Sequence, residues 1–354
     1  MRRFVVFSGF LGSGKTSTMM ALTQYFTDHH GKAAMISNDL GGQGLADYRL
    51  ALLCGCNASE ITGECICFCH KDLMERLNTC YDAGCELVIS DIPGFGGGAL
   101  EHVYHGMEED YPGQLELGPF TVLVEPRTVS LLRCGQGDDM ASILNAQLME
   151  ADLIVLNKCD LLTKEEQFDA VTWLSAAFPH AGVISISALK GDGLEELSQA
   201  MIQQKASMHH PAIDYEDAAL QHAMGELSEY YLQYRAEVCC NDFDGNAYLL
   251  SLGKRIQEDI QKTGCEIPHL KLLAWDPEGD YGKVDLLGTD RQIEVYHAFT
   301  RPCTDLAVVL NTTAACPGQD LEELLLKAIE EVSKYYQLDL VIFRKECIDL
   351  GEEE

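Results

Sequence analysis

Residues 8–16 are Ser8-Gly9-Phe10-Leu11-Gly12-Ser13-Gly14-Lys15-Thr16, which matches the pattern G-x-x-x-x-G-K-[ST]. The apolar run Phe4-Val5-Val6-Phe7 before this stretch predicts a buried strand, and the pattern from Thr16 to Phe26 predicts a helix. A glycine-rich turn between a strand and a helix is the context in which this pattern marks a phosphate-binding loop. The stretch therefore predicts an α/β domain that binds a nucleotide.

The glycines of this loop allow backbone N–H groups to turn toward phosphate oxygens, and the N-terminus of the following helix favours an anion. Lys15 is expected to reach the β- and γ-phosphates, and the Thr16 hydroxyl is expected to hold Mg²⁺. The predicted nucleotide-binding residues of the loop are Gly9, Gly12, Ser13, Gly14, Lys15, Thr16 and Ser17.

Two carboxylates follow predicted strands near the same edge of the sheet. The strand that ends at Asp91 continues into Asp91-Ile92-Pro93-Gly94, a D-x-x-G pattern. Asp91 is expected to hold Mg²⁺, and Gly94 is expected to donate its N–H to the γ-phosphate. Asp39 follows a strand over Ala33–Ser37, and we interpret it either as a residue that positions Mg²⁺ or the attacking water, or as a turn aspartate. Lys15, Asp39 and Asp91 are the predicted catalytic residues.

A third motif, Asn157-Lys158-Cys159-Asp160, follows the apolar strand Asp152–Leu156 and has the form N-K-x-D. The Asp160 carboxylate is suited to accept hydrogen bonds from the ring N–H and the 2-amino group of guanine. Adenine lacks both donors and would leave a buried carboxylate unpaired. Asn157 and Lys158 are expected to brace the base and the phosphate loop, and Ser187-Ala188 is expected to donate a backbone N–H to the guanine carbonyl.

The alternation of strands and helices through residue 204 predicts a doubly wound, mostly parallel α/β sheet of the P-loop GTPase type over residues 1–204. Residues 205–217, which contain His209-His210, are interpreted as a linker. The order β-α-β-β-α-β over residues 218–350 predicts an α+β, ferredoxin-like domain.

The chain has 15 cysteines, and a dense group of them lies in Gly63-Glu64-Cys65-Ile66-Cys67-Phe68-Cys69-His70. Three cysteines followed by a histidine suggest a soft-metal site. In an extended strand Cys65 and Cys69 would be roughly 13 Å apart, too far for one ion. Either the segment bends, or only two of the three bind one ion, with His70, Cys54 or Cys56 as further ligands. The alternative is that these cysteines are small buried hydrophobes.

Charge and hydropathy limit the partners and the compartment. The chain has 25 Lys and Arg against 56 Asp and Glu, a net charge of −31, which disfavours nucleic acid and anionic membrane surfaces. No run approaches the roughly 20 apolar residues that span a bilayer. We therefore expect a cytoplasmic protein with reduced thiols. Cys239, Cys240, Cys303 and Cys316 lack ligand spacing and are interpreted as structural.

Over about its first 205 residues the chain resembles the CobW family of GTPases, which are related to the nickel-insertion GTPases of hydrogenase and urease. The resemblance rests on the loop at residues 9–16, on Asn38-Asp39-Leu40-Gly41, on the cysteine group and on Asn157-Lys158-Cys159-Asp160. It implies a GTP-hydrolysing metallochaperone that uses GTP and Mg²⁺. The metal would be Zn²⁺, Co²⁺ or another transition metal, bound by Cys65, Cys67 and Cys69. The expected partner is a client metalloenzyme or a cofactor-assembly protein, and a homodimer is left open.

Several residues depart from the pattern of that family, which usually has G-C-x-C-C. Cys65 and Cys67 match its first two cysteines, Phe68 stands at the last one, and Cys69 is the substitute. Asp91 and Asp39 stand where the family usually has glutamates. A second hypothesis is therefore a GTP-dependent regulatory switch that gates the loading of a cofactor, such as a corrinoid, into a partner enzyme. In that case the cysteines would be structural or redox-sensing.

Overall fold

The computed structural model describes residues 2–94, 98–134, 139–208, 222, 225, 227–238 and 242–350. The chain divides into two compact units, one formed by Met1–Gln43 with Cys54–Gln221 and the other by Gly44–Leu53 with His222–Glu354. The predicted boundaries at residues 204 and 217 stay predictions. His209 and His210 of the predicted linker, and Cys239 and Cys240, lie outside the described residues.

Strands and helices alternate along the first unit, and antiparallel strands dominate the second. The strands are β1 (Arg3–Gly9), β2 (Ala33–Asp39), β3 (Ala58–Thr62), β4 (Leu87–Asp91), β5 (Glu116–Leu117), β6 (Thr121–Val124), β7 (Leu153–Leu156), β8 (Gly182–Ser185), β9 (Ser228–Val238), β10 (His269–Trp275), β11 (Tyr281–Leu286), β12 (Glu294–His297), β13 (Asp305–Ala314) and β14 (Leu338–Asp349). The helices are α1 (Lys15–His29), α2 (Ala46–Leu53), α3 (His70–Asp82), α4 (Gly106–Asp110, after a π-helical segment at Ala99–His105), α5 (Pro126–Cys134), α6 (Asp139–Met149), α7 (Lys164–Ala177), α8 (Leu194–Gln203), α9 (Gly245–Thr263) and α10 (Gly318–Tyr335).

The first unit is built on a sheet with the strand order β3-β2-β4-β1-β6-β7-β8, and the short β5 also pairs with β1. The paired strands run in parallel, as the predicted doubly wound α/β fold requires. β1, β4, β6 and β7 are buried along their whole length. Because helices cover both faces of such a sheet, its central strands are continuous apolar runs without alternation. The carboxyl ends of the strands meet at one edge, which is where ligands bind in open α/β sheets.

Several elements around this sheet are not predicted from the sequence, among them α2, β3, α5 and the helical segment from Ala99 to Asp110. β3 is a half-buried edge strand with only one buried residue, so its hydropathy signal is weak. Residues 65–68 form a turn, closed by the Phe68 N–H, which donates to the Cys65 carbonyl at 2.9 Å. Of the two arrangements left open for the cysteine segment, the structure therefore shows the bent one.

The second unit contains a six-stranded antiparallel sheet with the order β12-β11-β10-β13-β9-β14. Within it, β10-β13-β9-β14 with α9 and α10 has the predicted ferredoxin-like order, and β11 and β12 extend one edge. The predicted order β-α-β-β-α-β contains neither β11 nor β12, and the structure pairs these two strands with each other. None of the helices in the described ranges has the length and apolarity needed to cross a bilayer.

The helix α2 belongs to the second unit although it lies early in the chain. Its Asp47 accepts a hydrogen bond from Lys271 Nζ at 2.6 Å, and the Arg49 guanidinium lies 5.8 Å from the centre of the Trp275 ring. Both partners lie in the segment that contains β10. The chain therefore enters the second unit between Gln43 and Gly44 and returns to the first between Leu53 and Cys54.

Candidate functional site

The predicted phosphate loop connects β1 to α1. Gly14 has φ +88° and ψ +31° and caps α1, so Lys15 begins the helix and Thr16 and Ser17 lie half-buried in its first turn. The Lys15 ammonium donates a hydrogen bond to the Gly9 carbonyl at 2.5 Å. This arrangement places a positive charge and a helix N-terminus beside the same turn, which together favour an anion.

The glycines of this region are required by close approaches as well as by backbone angles. A Cβ at Gly9 (φ +133°) would lie 2.4 Å from the Leu123 carbonyl oxygen, and one at Gly14 would lie 2.3 Å from Asn157 Nδ2. Real Cβ atoms do not approach backbone or side-chain atoms so closely. A Cβ at Gly94 would lie 2.4 Å from Leu11 Cδ2, so the D-x-x-G segment packs directly against the phosphate loop.

Asn157 of the N-K-x-D motif joins the phosphate loop to the predicted base-recognition loop. Its Nδ2 donates to the Ser13 carbonyl at 3.0 Å, and its Oδ1 accepts from the Ala188 N–H at 3.1 Å. The side chain is buried, with 2% of its surface exposed. The Asn157 side chain therefore connects its own loop with the loops at Ser13 and Ala188, which are far apart in the sequence.

Asp160 and Lys158 are each held by a second side chain. The Ser187 hydroxyl donates to Asp160 Oδ1 at 2.6 Å, and the Lys158 ammonium donates to Glu125 Oε2 at 2.8 Å. Lys158 has φ +61°, a conformation that a residue other than glycine rarely adopts outside functional turns. The Asp160 carboxylate is thereby oriented before a base arrives, which lowers the entropy lost on binding.

Asp91 closes β4 at the edge of the sheet and is 5% exposed. Its Oδ1 accepts a hydrogen bond from the backbone N–H of Asn38 at 2.9 Å. Asp39 follows Asn38 at the end of β2, where its carbonyl accepts from the Gly63 N–H at 3.1 Å. Asp91 is thus placed near the carboxyl end of β1, whereas the catalytic role of Asp39 stays a prediction.

The side chain of Asn38 organises the segment that carries the cysteines. Its Nδ2 donates to the Glu64 carbonyl at 2.9 Å and to the Ile61 carbonyl at 3.3 Å, and its Oδ1 accepts from the Ile66 N–H at 2.9 Å. The residue is 3% exposed. One residue therefore contacts Asp91 through its backbone and the thiol segment through its amide.

The turn at residues 65–68 brings Cys65 and Cys67 together. Their sulfur atoms lie 2.9 Å apart and share a hydrogen bond. The hydrogen bond between the two side chains lowers the pKa of Cys65 and outweighs burial, whereas the same bond, together with burial, raises the pKa of Cys67. The negative charge of Asp91 also acts on the Cys65 thiol. The two thiols therefore differ in acidity, and the pair lies close to Asp91, the predicted magnesium ligand.

The other candidate ligands do not join this pair in the described structure. The Cys69 thiol donates to the Cys65 carbonyl at 3.4 Å, and burial raises its pKa to about 11. Both ring nitrogens of His70 are engaged, with Asp110 at 2.8 Å and with the His102 carbonyl at 2.5 Å. Among the described residues, no group of three or more His, Cys, Asp and Glu has a geometry that holds a metal ion.

Several residues of this region were not found from the sequence. They are Asn38, which binds the thiol segment, Glu125, which pairs with Lys158, and Gln147 and Glu150, which contact Gly94 and Gly98. Asn38 was named only as the first residue of the motif Asn38-Asp39-Leu40-Gly41. A buried polar residue carries no motif of its own, because its partners come from distant parts of the chain.

Comparison with known proteins shows the family to which the chain belongs. The CobW/HypB/UreG nucleotide-binding domain family matches residues 3–184, just over half of the chain. A GTPase Era of a Bradyrhizobium strain is 30% identical over 98 residues, which are 27% of this chain and 32% of that protein. The chain thus spans about a third of the length of that relative.

Two solved structures are similar at low identity. One is HypB from Helicobacter pylori in complex with nickel, with 18% identity, a TM-score of 0.40 and coverage of 56% of this chain and 85% of that one. The other is the Zn(II)-bound YjiA GTPase from E. coli, with 11% identity, a TM-score of 0.36 and coverage of 92% and 98%.

The parallel sheet, the phosphate loop and the N-K-x-D turn define a P-loop nucleotide-binding protein of the GTPase class. Within that class, the chain belongs to the CobW/HypB/UreG family.

Substitution of Gly14 tests whether the loop needs close approach as well as a left-handed backbone. Gly14→Ala is expected to weaken GTP binding at least about tenfold, because its methyl group would displace the Asn157 amide. Gly84 is the matched control, since it has φ +89° but open space around its Cα. Gly84→Ala should lower stability by about 1 kcal/mol without a change in affinity for a fluorescent GTP analogue. Equal binding losses in both variants would contradict the steric role of Gly14.

Substitution of Asp160 tests guanine recognition. Asp160→Asn is expected to weaken GTP binding by about two orders of magnitude and to admit xanthosine triphosphate, whose 2-carbonyl accepts a hydrogen bond from the amide. Nucleotide competition measures both effects. Asp192→Asn, an exposed change in the neighbouring loop, is the control and should keep the preference for GTP. A preference for GTP that survives in Asp160→Asn would exclude the assigned role.

Proposed function

We propose that the chain is a GTP-hydrolysing metallochaperone, which binds a transition-metal ion through Cys65 and Cys67 and delivers it to a client metalloenzyme or a cofactor-assembly protein. The observation that supports this proposal best is the 2.9 Å contact between the two sulfurs, held next to Asp91 by Asn38. Asn38 contacts both Asp91, the proposed magnesium ligand, and the segment that carries the two cysteines. Such a shared neighbour is suited to couple metal binding to the state of the bound nucleotide.

The proposed binding and hydrolysis of GTP is supported by residues whose positions are compatible with the phosphates and with guanine. Lys15 and the backbone of the loop would stabilise the phosphate charge, while Asp160 would accept hydrogen bonds from the base. Mg²⁺, when bound by Thr16 and Asp91, would neutralise charge that develops on the phosphates. The sequence offers no evident strong general base, so we expect slow hydrolysis in the absence of a partner or of bound metal.

The donor set at the thiol pair fits a soft or borderline metal ion, since thiolates select such ions over Mg²⁺. Tetrahedral coordination with Zn–S bonds near 2.3 Å requires sulfurs about 3.7 Å apart, so Cys65 and Cys67 would separate modestly on binding. Cys69, which also lies on this turn, would need to leave the Cys65 carbonyl to become a third ligand. Remaining positions would be completed by the client or by water.

The net charge of the chain indicates which kind of client protein it would bind. With a net charge of −31 the chain would attract a partner with a basic surface, and an electrostatically steered encounter would be fast and sensitive to salt. Metal transfer needs a complex that forms and separates readily, which suits such an interface. A homodimer remains a second proposal for the assembly.

A second candidate function is the regulatory switch that gates cofactor loading, with structural cysteines. One observation favours it, namely that the described residues contain no metal-compatible group of three or more ligands. In that case the thiol pair would hold the turn in place, and only the nucleotide cycle would be functional. Metal titration separates the two functions.

Metal binding by the thiol pair is tested with purified protein, GTP and Mg²⁺. The wild type is expected to bind one Zn²⁺ or Co²⁺ per chain, and Cys67→Ser is expected to weaken binding by at least about tenfold. Cys80→Ser is the control, because Cys80 is buried in the same unit outside the turn. Co²⁺ also gives a thiolate-to-metal absorption band that Cys67→Ser should remove. Stoichiometric binding that Cys67→Ser leaves intact would exclude this site.

The pKa shifts of the thiol pair predict the pH dependence of metal binding. Because the pKa of Cys67 is raised and that of Cys65 is lowered, metal must displace at least the Cys67 proton near neutral pH. Affinity should therefore rise about tenfold per pH unit between pH 6.5 and 8.5. Competition with a chromophoric chelator, corrected for its own protonation, measures this slope. An affinity independent of pH would show that metal binding releases no proton, which would contradict a Cys67 thiol that is protonated in the free protein and deprotonated in the complex.

A further inference from the structure

Two cysteines of the second unit lie beside each other although they are far apart in the sequence. Cys265 follows the C-terminal end of α9, and Cys316 precedes α10. Their side chains share a hydrogen bond, and both pack against the apolar core of the second unit as partly buried, free thiols. Neither belongs to the nucleotide site or to the cysteine turn at residues 65–68.

The course of the backbone brings these two thiols together. β10 and β13 pair as antiparallel strands. Beyond the sheet the two chains stay adjacent, since the Ala315 N–H donates to the Glu266 carbonyl at 2.8 Å. Cys265 and Cys316 come one residue further along the two chains, which makes them opposite neighbours. Opposite residues of antiparallel chains have Cα atoms about 4.5–5.5 Å apart, within the range of about 4.4–6.8 Å that a disulfide spans.

Local hydrogen bonds hold the backbone at both thiols. The Ser228 hydroxyl donates to the Cys316 carbonyl at 2.8 Å. The Cys265 N–H donates to the Thr263 hydroxyl at 3.2 Å. A fixed backbone with the two sulfurs already in contact is the geometry in which a disulfide forms without rearrangement.

A third thiol, Cys347 of β14, lies close to the pair. A Cβ at Gly318 would lie 2.4 Å from Cys347 Sγ, which places this exposed thiol beside the start of α10. In the described part of the chain, however, no three or more His, Cys, Asp and Glu side chains are arranged to hold a metal ion. The geometry of the Cys265–Cys316 pair therefore favours thiol–disulfide exchange over metal binding.

We propose that Cys265 and Cys316 are a reversible disulfide site, with a small disulfide of the glutathione type as the oxidant. The Cys265 thiolate attacks one sulfur of oxidised glutathione, which breaks that disulfide, forms a mixed disulfide and releases one glutathione. The Cys316 sulfur then attacks the Cys265 sulfur and releases the second glutathione. Two protein thiols are oxidised and one disulfide is reduced, and the two protons lost by the cysteines are balanced by those of the two released thiols.

The order of the two steps follows from the surroundings of the thiols. Cys265 is assigned the first attack because its sequence neighbours, Gly264 and Glu266, are exposed. Burial, then the Cys265 thiol, and to a smaller degree the charges of Asp320 and Cys347 raise the pKa of Cys316 to about 12. The thiolate is the attacking species, so the second step is the slower one near neutral pH.

The test uses the full chain, reduced, freed of metal with a chelator and then incubated with oxidised glutathione near neutral pH. Remaining thiols are blocked at intervals with N-ethylmaleimide. Trypsin places Cys265 on residues 263–271, and Cys316 together with Cys303 on residues 292–327. Mass spectrometry, with fragment spectra that separate Cys303 from Cys316, identifies the cross-link.

We expect a transient glutathione adduct at Cys265, followed by a Cys265–Cys316 cross-link that exceeds every other disulfide of Cys265 at least about tenfold. Urea should abolish this preference, because only the fold holds the two sulfurs in contact. Excess reduced glutathione should reverse the cross-link. Cys316→Ala should abolish it, and Cys303→Ala, which removes the other thiol of the same peptide, should keep it.

A stable glutathione adduct at Cys265 without the cross-link would overturn the inference. A cross-link from Cys265 to Cys347 or to Cys303 in its place would also overturn it, as would a preference that is unchanged in urea. If Cys316→Ala does not fold, the fragment spectra of the wild type decide. The metal titration concerns the turn at residues 65–68, so either experiment can fail without affecting the other.

Discussion

The buried amide and backbone of Asn38 form the contact on which the candidate site depends. Its N–H donates to Asp91, and its side chain makes hydrogen bonds to Ile61, Glu64 and Ile66. An unsatisfied buried polar group costs about 1–3 kcal/mol, so displacement of any one of these segments strains the others. The position of the thiol segment relative to Asp91 is therefore fixed by a small network of hydrogen bonds as well as by apolar packing.

The base-recognition side of the site is stabilised in a comparable way by Asn157. That amide contacts the loop at Ser13 and the loop at Ala188, while Ser187 orients Asp160. Both asparagines stand at the carboxyl ends of parallel strands, beside the loops that follow them. A short side chain with one donor and one acceptor group bonds to backbone groups of these loops, and the same bonds fix the relative positions of the loops.

Much of the fold and of the nucleotide site was predictable, because the relevant signals are local. Gly14 and Asp160 lie in short motifs whose spacing predicts their roles, and the apolar runs of β1 and β7 mark buried strands. The contacts of Asn38 with Asp91 and of Glu150 with Gly98 span 53 and 52 residues, and no local pattern reports them. The conformation of the cysteine segment was likewise left undecided, since alternating cysteines are equally compatible with a strand and with a tight bend.

The membership of α2 in the second unit has a consequence for biosynthesis. Asp47 and its partner Lys271 are 224 residues apart in the sequence. At about 5–20 residues per second, roughly 10–45 seconds of translation separate the two. During that interval Ala46, Leu50 and Ala51, which are buried in the finished protein, have no native surface to cover them. A nascent chain is therefore expected to expose these side chains until β10 has been synthesised, and a fragment that stops before β10 would leave them without that partner strand.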